Sequence, residues 1–167
     1  MNLRRVIRHL VSPRWIAARA FPKATLARIE AAIRASEAVH RGELRFVVES
    51  DLALLPLLRG VTPRQRALEM FARLGVWDTE FNSGVLIYVQ LVDHCIEIVA
   101  DRGISAKVPP REWEAICHRM EQAFRNGKYE EGALAGIGEI TDLLARHFPA
   151  QGANPNPDEL PDKPVLL

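Results

Sequence analysis

Two cysteines, Cys95 and Cys117, are all the chain has. A small secreted fold stapled by disulfides needs several bridges, so that framework is excluded. Cys95 falls in a strand-like run and Cys117 on an apolar helical stripe, which reads as two buried free thiols. Long apolar runs are also missing, and nothing approaches the ~20 residues that span a bilayer. The N-terminus has no extended apolar region and no small-residue cleavage site, so the expected compartment is the cytoplasm. Neither charge dominates: 22 Lys and Arg stand against 21 Asp and Glu. A dedicated nucleic-acid binder shows a basic face, so no nucleic-acid partner is expected. Phosphate loops are absent too, because the one glycine-rich stretch, "GALAGIG", sits inside a helical pattern rather than after a strand. No local pattern specifies a Ser-His-Asp or Cys-His pair.

What remains is an ordinary soluble composition, 48% apolar and 26% charged, in 167 residues. That is enough for one domain with a sizeable core. The pattern divides into a basic N-terminal segment (1–20), an α/β domain (21–150) and a proline-rich tail (151–167). Residues 1–19 carry Arg4, Arg5, Arg8, Arg14 and Arg19 and no acid. There "MNLRRVIRHLV" aligns Leu3, Val6, Ile7 and Leu10 on one helical face. Such a helix either packs on the domain or touches a membrane surface, where so small a face binds weakly.

Within the domain, "TLARIEAAIRASEAV" is rich in helix formers, with Thr25 as its expected N-cap. "ELRFVVE" alternates as a strand, and "SDLALLPLLRGV" reads as a loop. The helix "TPRQRALEMFARLG" starts with a capping box, Thr62 at N-cap, Pro63 at N1 and Gln65 at N3. Its expected buried face is Ala67, Leu68, Phe71 and Leu74. "VLIYVQL" and "CIEIVA", separated by "VDH", form a hairpin. A helix from Pro110 follows, striped by Trp113, Ile116, Cys117, Met120 and Phe124. Its Glu114, Cys117, His118 and Glu121 have a tempting metal spacing, but Cys117 belongs to the core stripe and His118 points elsewhere. The last helix, from about Tyr129 to His147, contains Gly132, Gly136 and Gly138, each costing about 1 kcal/mol relative to Ala. Close approach of this helix to the sheet is the expected compensation. The first two strands, joined by a helix, should be parallel with a right-handed crossover, and the hairpin adds an antiparallel strand. The fold class is therefore α/β: a three-layer sandwich, a small mixed β-sheet with helices on both faces. The tail ends in Pro164-Val165-Leu166-Leu167, and Val165 and Leu166 are expected to fold back onto the body or to bind a neighbour as an extended strand or a polyproline-like segment.

This topology delivers one polar rim. The turn 77–84 precedes its strand, the first strand begins beside it, and the third strand ends there. His40, Glu43, Asp78, Glu80, Asn82, Asp101 and Arg102 thus meet at one edge of the sheet. Hard cations such as Ca²⁺ or Mg²⁺ take oxygen ligands of this sort, making Glu43, Asp78, Glu80 and Asp101 the candidate metal set. His40, Asn82 and Arg102 are the candidate ligand-binding groups. The spacing Asp78-x-Glu80-x-Asn82-x-Gly84 is no EF-hand, since the twelve-residue loop and its terminal glutamate are missing. The same residues also serve as turn and cap formers, and both readings stay open on the sequence.

Five segments in order carry a family resemblance: "GELRFVVE", "ALEMFARLGV", "NSGVLIYV", "IEIVADRGI" and "FRNGKYEEGALAGI". From about Phe21 to Phe148 the chain resembles the TPM domain, found in thylakoid-lumen and photosystem-repair proteins and in many bacterial proteins. The resemblance implies the same α/β sandwich. It also implies a possible acid phosphatase activity with a divalent metal at an acidic site, here the carboxylates of the rim. Many members read Gly-x-Gly-Leu-Glu after the third strand, whereas this chain has Asp101 at the first glycine and Ser105 at the acid. Because only Arg102 and His40 are placed to hold an anion, the expected function is a binding or assembly module with a protein partner, acting through the acidic rim or the tail. A metal-dependent phosphatase and a membrane-surface adaptor are the alternatives.

Overall fold

A computed structural model describes residues 3–12, 15–150 and 159–167. Arg14 and the first half of the tail lie outside the described residues. Twelve elements follow in chain order: α1 (Leu3–Leu10), α2 (Trp15–Ala20), α3 (Lys23–Glu37), β1 (Glu43–Glu49), α4 (Leu54–Leu58), α5 (Pro63–Arg73), β2 (Gly84–Gln90), β3 (Cys95–Ala100), α6 (Arg102–Ser105), α7 (Pro110–Arg125), α8 (Tyr129–His147) and β4 (Val165–Leu166).

The sheet runs β3-β2-β1-β4. β1 and β2 are parallel, with Glu43 opposite Gly84, and β2 and β3 are the expected hairpin. Every residue of β1 and β2 is buried, because both sheet faces are covered. Leu44, Phe46 and Val48 with Val85, Ile87 and Val89 face the larger core, closed by α3, α7 and α8. The alternate residues Val47, Leu86 and Tyr88 face a smaller core under α5, where Ala67, Met70 and Leu160 cover them. The mixed sheet flanked by helices on both faces is the fold expected.

The capping box of α5 forms in full. The Thr62 hydroxyl accepts from Gln65 N at 3.2 Å, and Gln65 Oε1 accepts from Thr62 N at 2.9 Å. Met70 rather than Leu68 completes the buried face, and Leu68 is exposed. The α3 helix starts two residues before Thr25, whose hydroxyl instead donates to Glu130 Oε2 at 2.7 Å. The segment 54–58, read as a loop, is a short helix. Gly132 and Gly136 of α8 answer to a neighbouring helix, not to the sheet, while a Cβ at Gly138 would meet nothing. A Cβ at Gly132 would lie 2.7 Å from the Ala123 Cβ of α7, and one at Gly136 would strike Met120 Sδ. Both thiols are free but half-buried.

β3 is an outer strand, and three of its outward backbone groups are capped. Ile96 N donates to Glu121 Oε1 (3.1 Å), Ile98 O accepts from Arg64 Nη1 (2.6 Å) and Ala100 O accepts from Ser105 Oγ (3.0 Å). Such caps close an edge against stray strand pairing.

On the other side the tail returns as a fourth strand, parallel to β1, with Val165 opposite Val47 and Leu166 opposite Val48. Leu167 N donates to Val48 O at 2.9 Å and Ser50 N to Leu167 O at 3.2 Å. Leu160 is buried in the smaller core. Leu160→Ala should therefore lower the unfolding free energy by about 2–5 kcal/mol, the range for truncating a buried leucine. Deleting 159–167 should lower it further, measured by urea denaturation. An unchanged midpoint for the deletion would show that the tail is not part of the fold.

Candidate functional site

The rim lies at the N-terminal edge of β1 and β2. Asp101 N donates to Gly84 O (2.9 Å), Glu43 N to Ser83 O (3.1 Å) and Gly103 N to Asn82 O (3.1 Å). The three segments expected there do meet. Their side chains, however, have three different fates.

The first group is consumed by the fold. Glu43 is buried, and its Oε2 accepts from the backbone amides of Glu159 (3.3 Å) and Leu160 (3.2 Å). His40 is fully buried between Ser36 Oγ, 2.7 Å from Nε2, and Gly42 N, which donates to Nδ1 at 3.1 Å. Burial lowers its pKa to about 4, so the ring is neutral and both nitrogens are occupied. Asp101 is the N-cap of α6, with Oδ1 accepting from Arg102 N at 2.6 Å. The second group is paired at the surface: Arg102 Nε donates to Asn82 Oδ1 at 2.8 Å, and Asn82 holds a positive φ of 51°. The third group is open. Asp78 and Glu80 are exposed, beside the exposed rings of Trp77 and Phe81. The Arg41 guanidinium stacks 3.6 Å from the centroid of Phe81, and Glu80 N donates to Glu159 Oε2 at 2.9 Å.

Sequence reasoning missed a second polar cluster, beneath the tail. Arg45 is buried within β1 and its Nη1 donates to Lys163 O at 3.4 Å. Asp162 is buried and accepts from Arg34 Nε at 3.0 Å. Glu37 Oε1 accepts from Leu44 N at 2.8 Å. Burial, aided by the carboxylates of Glu43 and Asp162, pushes the Glu37 carboxyl up to about 9 despite that hydrogen bond. The available signal was three charged residues, Glu43, Arg45 and Glu49, on one face of a strand whose other face is apolar.

A parallel β1–β2 pair with a helical crossover, the β2–β3 hairpin and two closing helices decide the family, because the TPM domain sequence model matches residues 17–143 of this arrangement. The chain belongs to the TPM domain family. Seven solved chains match this TPM domain. The BA42 protein of the psychrophilic bacterium Bizionia argentinensis is 28% identical, with a TM-score of 0.75 over 86% of this chain and 93% of that one. The N-terminal domain of a protein from P. gingivalis is 21% identical, with a TM-score of 0.60 over 82% of this chain and 90% of that one, a likeness of fold alone. No curated relative matches.

The resemblance to metal-dependent phosphatases can be tested on the donor set of this TPM domain. Among the described residues no group of three or more His, Cys, Asp or Glu converges as a cation site needs. Glu43 and Asp101 face backbone amides, while Asp78 and Glu80 point to solvent. Among the described residues, the four rim carboxylates are therefore not gathered around one point. A groove of about 520 Å³ beside β3 is lined by Cys95, Trp113, Cys117 and His118. Burial pushes both its thiols up to about 12, too high to serve as nucleophiles near neutral pH.

The two titrating groups give opposite pH limbs. Glu37 keeps in the fold a proton that the unfolded chain releases near its ordinary 4.5, so stability falls as pH rises from there towards about 9. His40 stays neutral in the fold but gains a proton when unfolded, so stability falls as pH drops from 6.5 towards about 4. Glu37→Gln should flatten the alkaline limb and leave the acid limb in place, read as melting temperature against pH. An alkaline limb unchanged in that variant would remove Glu37 from the account.

Proposed function

We propose that this TPM domain is a binding module whose rim receives a cationic segment of a protein partner. The observation that carries the reading is the split among the rim carboxylates. Those deepest in the rim, Glu43 and Asp101, are occupied by backbone donors, whereas Asp78 and Glu80 stand exposed beside Trp77 and Phe81. Exposed carboxylates next to exposed aromatic rings suit Lys or Arg side chains, which pair with the acids and lie over the rings. The Arg41–Phe81 stack within the chain is an instance of that contact.

An oligolysine peptide, followed by the change in tryptophan fluorescence, tests the reading. The affinity should fall with added salt. Asp78→Asn with Glu80→Gln should weaken it about tenfold, as two exposed ion pairs of up to ~1 kcal/mol each allow. Equal affinity in the double variant would refute the rim as the docking surface.

The phosphatase alternative makes the contrary demand on the same residues. A bound cation at 100 times its dissociation constant stabilises a fold by about 2.7 kcal/mol. We expect no rise in melting temperature in millimolar Ca²⁺ or Mg²⁺. A clear rise that Asp101→Asn abolishes would restore the metal reading and displace this one.

A further inference from the structure

The opposite end of the sheet is built differently. Beyond the C-terminal ends of β1 and β2, α1 lies against α4, with Val6 packed on Leu52 and Leu57. A polar lock fixes it there. Asp93, in the β2–β3 turn, accepts from Arg5 Nε (2.9 Å) and Arg8 Nη2 (2.8 Å) and lies 3.1 Å from His9 Nε2. His9 Nδ1 accepts from Leu52 N at 2.9 Å, and Arg5 Nη1 donates to Val61 O at 2.8 Å. The inward face of α1 is thus used, and its exposed, outward face combines apolar side chains with Arg4 and Arg8.

That outward face carries Leu3, Ile7 and Leu10, each more than half exposed, with Val11 just beyond at 71%. Beside it α4 turns out Leu54, Leu55 and Leu58, and Trp15 at the start of α2 is 57% exposed. More than half of the large apolar side chains exposed among the described residues belong to this one end of the molecule. An apolar surface of this size on a soluble domain marks an interaction site.

Charge selects what covers it. Residues 1–29 and 52–68, which supply these helices, contain no Asp or Glu. Arg4 and Arg59 are exposed, Arg8 keeps half its side chain in solvent and Arg19 lies 5.7 Å over the Trp15 ring. The one acid in the lock, Asp93, is nearly buried and already carries two arginines. Leucines, a surface tryptophan and arginines in excess over acids are the composition of a segment lying in the interface of an anionic bilayer. A second copy of the same face would set arginines against arginines, which disfavours a symmetric dimer.

We infer that the α1–α4 face docks on an anionic membrane surface. It is held there by shallow burial of the leucines and Trp15 and by attraction of Arg4 and Arg59 to acidic headgroups. The rim, at the other end of the strands, then faces away from the bilayer with Asp78 and Glu80 in solvent. This inference is independent of what the rim binds.

Co-sedimentation of the full chain tests it, with vesicles of phosphatidylcholine alone and of phosphatidylcholine mixed with phosphatidylserine. Binding should require phosphatidylserine and should weaken as salt is raised. Arg4→Gln with Arg59→Gln should reduce it about twenty-fivefold, since each basic residue near the surface is worth roughly fivefold. Ile7→Asp with Leu58→Asp should abolish it. All four side chains are exposed, so the melting temperatures should match the wild type, which separates lost docking from lost folding. The rim variant Asp78→Asn with Glu80→Gln should bind vesicles as the wild type does, so the two proposals fail separately. Absence of wild-type binding to phosphatidylserine vesicles at low salt would overturn the inference. So would self-association that Ile7→Asp with Leu58→Asp abolishes while vesicles bind neither protein, since the occupant would then be a second copy.

Discussion

Three charged side chains, Glu43, Arg45 and Glu49, sit on the central strand of a sheet covered on both faces. A charge out of water is costly until it is paired or hydrogen-bonded, so each must find a partner that the rest of the chain supplies. Glu49 is held by a bidentate contact from Arg66 and by the Tyr88 hydroxyl. That fixes α5 over the smaller core, and Arg66 in turn reaches Glu69 at 2.8 Å. Arg45 and Glu43 are met from the other side, by Lys163 O and by the amides of Glu159 and Leu160. Seen this way, the tail is the counterpart of β1: its backbone satisfies the strand's charges while Leu160 and β4 close the smaller core.

The same constraint reshapes the rim. A carboxylate that accepts two backbone amides has given up much of its capacity to ligate an ion, and Glu43 is so engaged. Asp101 is engaged likewise as a helix cap, and its Oδ2 is buried without a hydrogen-bond partner in the structure. The most exposed acids of the rim are those of the turn, Asp78 and Glu80. The exposed carboxylates of the rim therefore lie on the turn, with Trp77 and Phe81 beside Asp78 and Glu80.

Much of this was legible in the sequence. Alternation in "ELRFVVE", the capping box at Thr62 and the short gap between two apolar runs were enough for the mixed sheet, and topology alone brought the rim segments together. Side-chain commitments were not legible, because they depend on partners more than a hundred residues away. Nothing near Glu43 announces that the amides of Glu159 and Leu160 will cap it. Likewise the N-terminal stripe looked small, since the leucines of α4 that extend it were read as part of a loop. The α8 glycines were expected to answer to the sheet, yet Gly136 accommodates Met120 of α7 instead. Local pattern tells that something approaches closely; it does not tell what.

The family fold thus presents two unlike ends joined by strands of seven residues. One is apolar and basic, the other acidic and aromatic, and between them the charges of β1 are sealed by α5 and the tail. Everything at the rim depends on whether Glu43 is spent on the tail. Amide hydrogen exchange at Glu159 and Leu160, followed by NMR with and without millimolar Ca²⁺, measures this directly. Both amides should be strongly protected, with the same protection in either condition. Free-chain exchange at these two positions, or protection that collapses when Ca²⁺ is added, would show that the carboxylate serves a ligand instead.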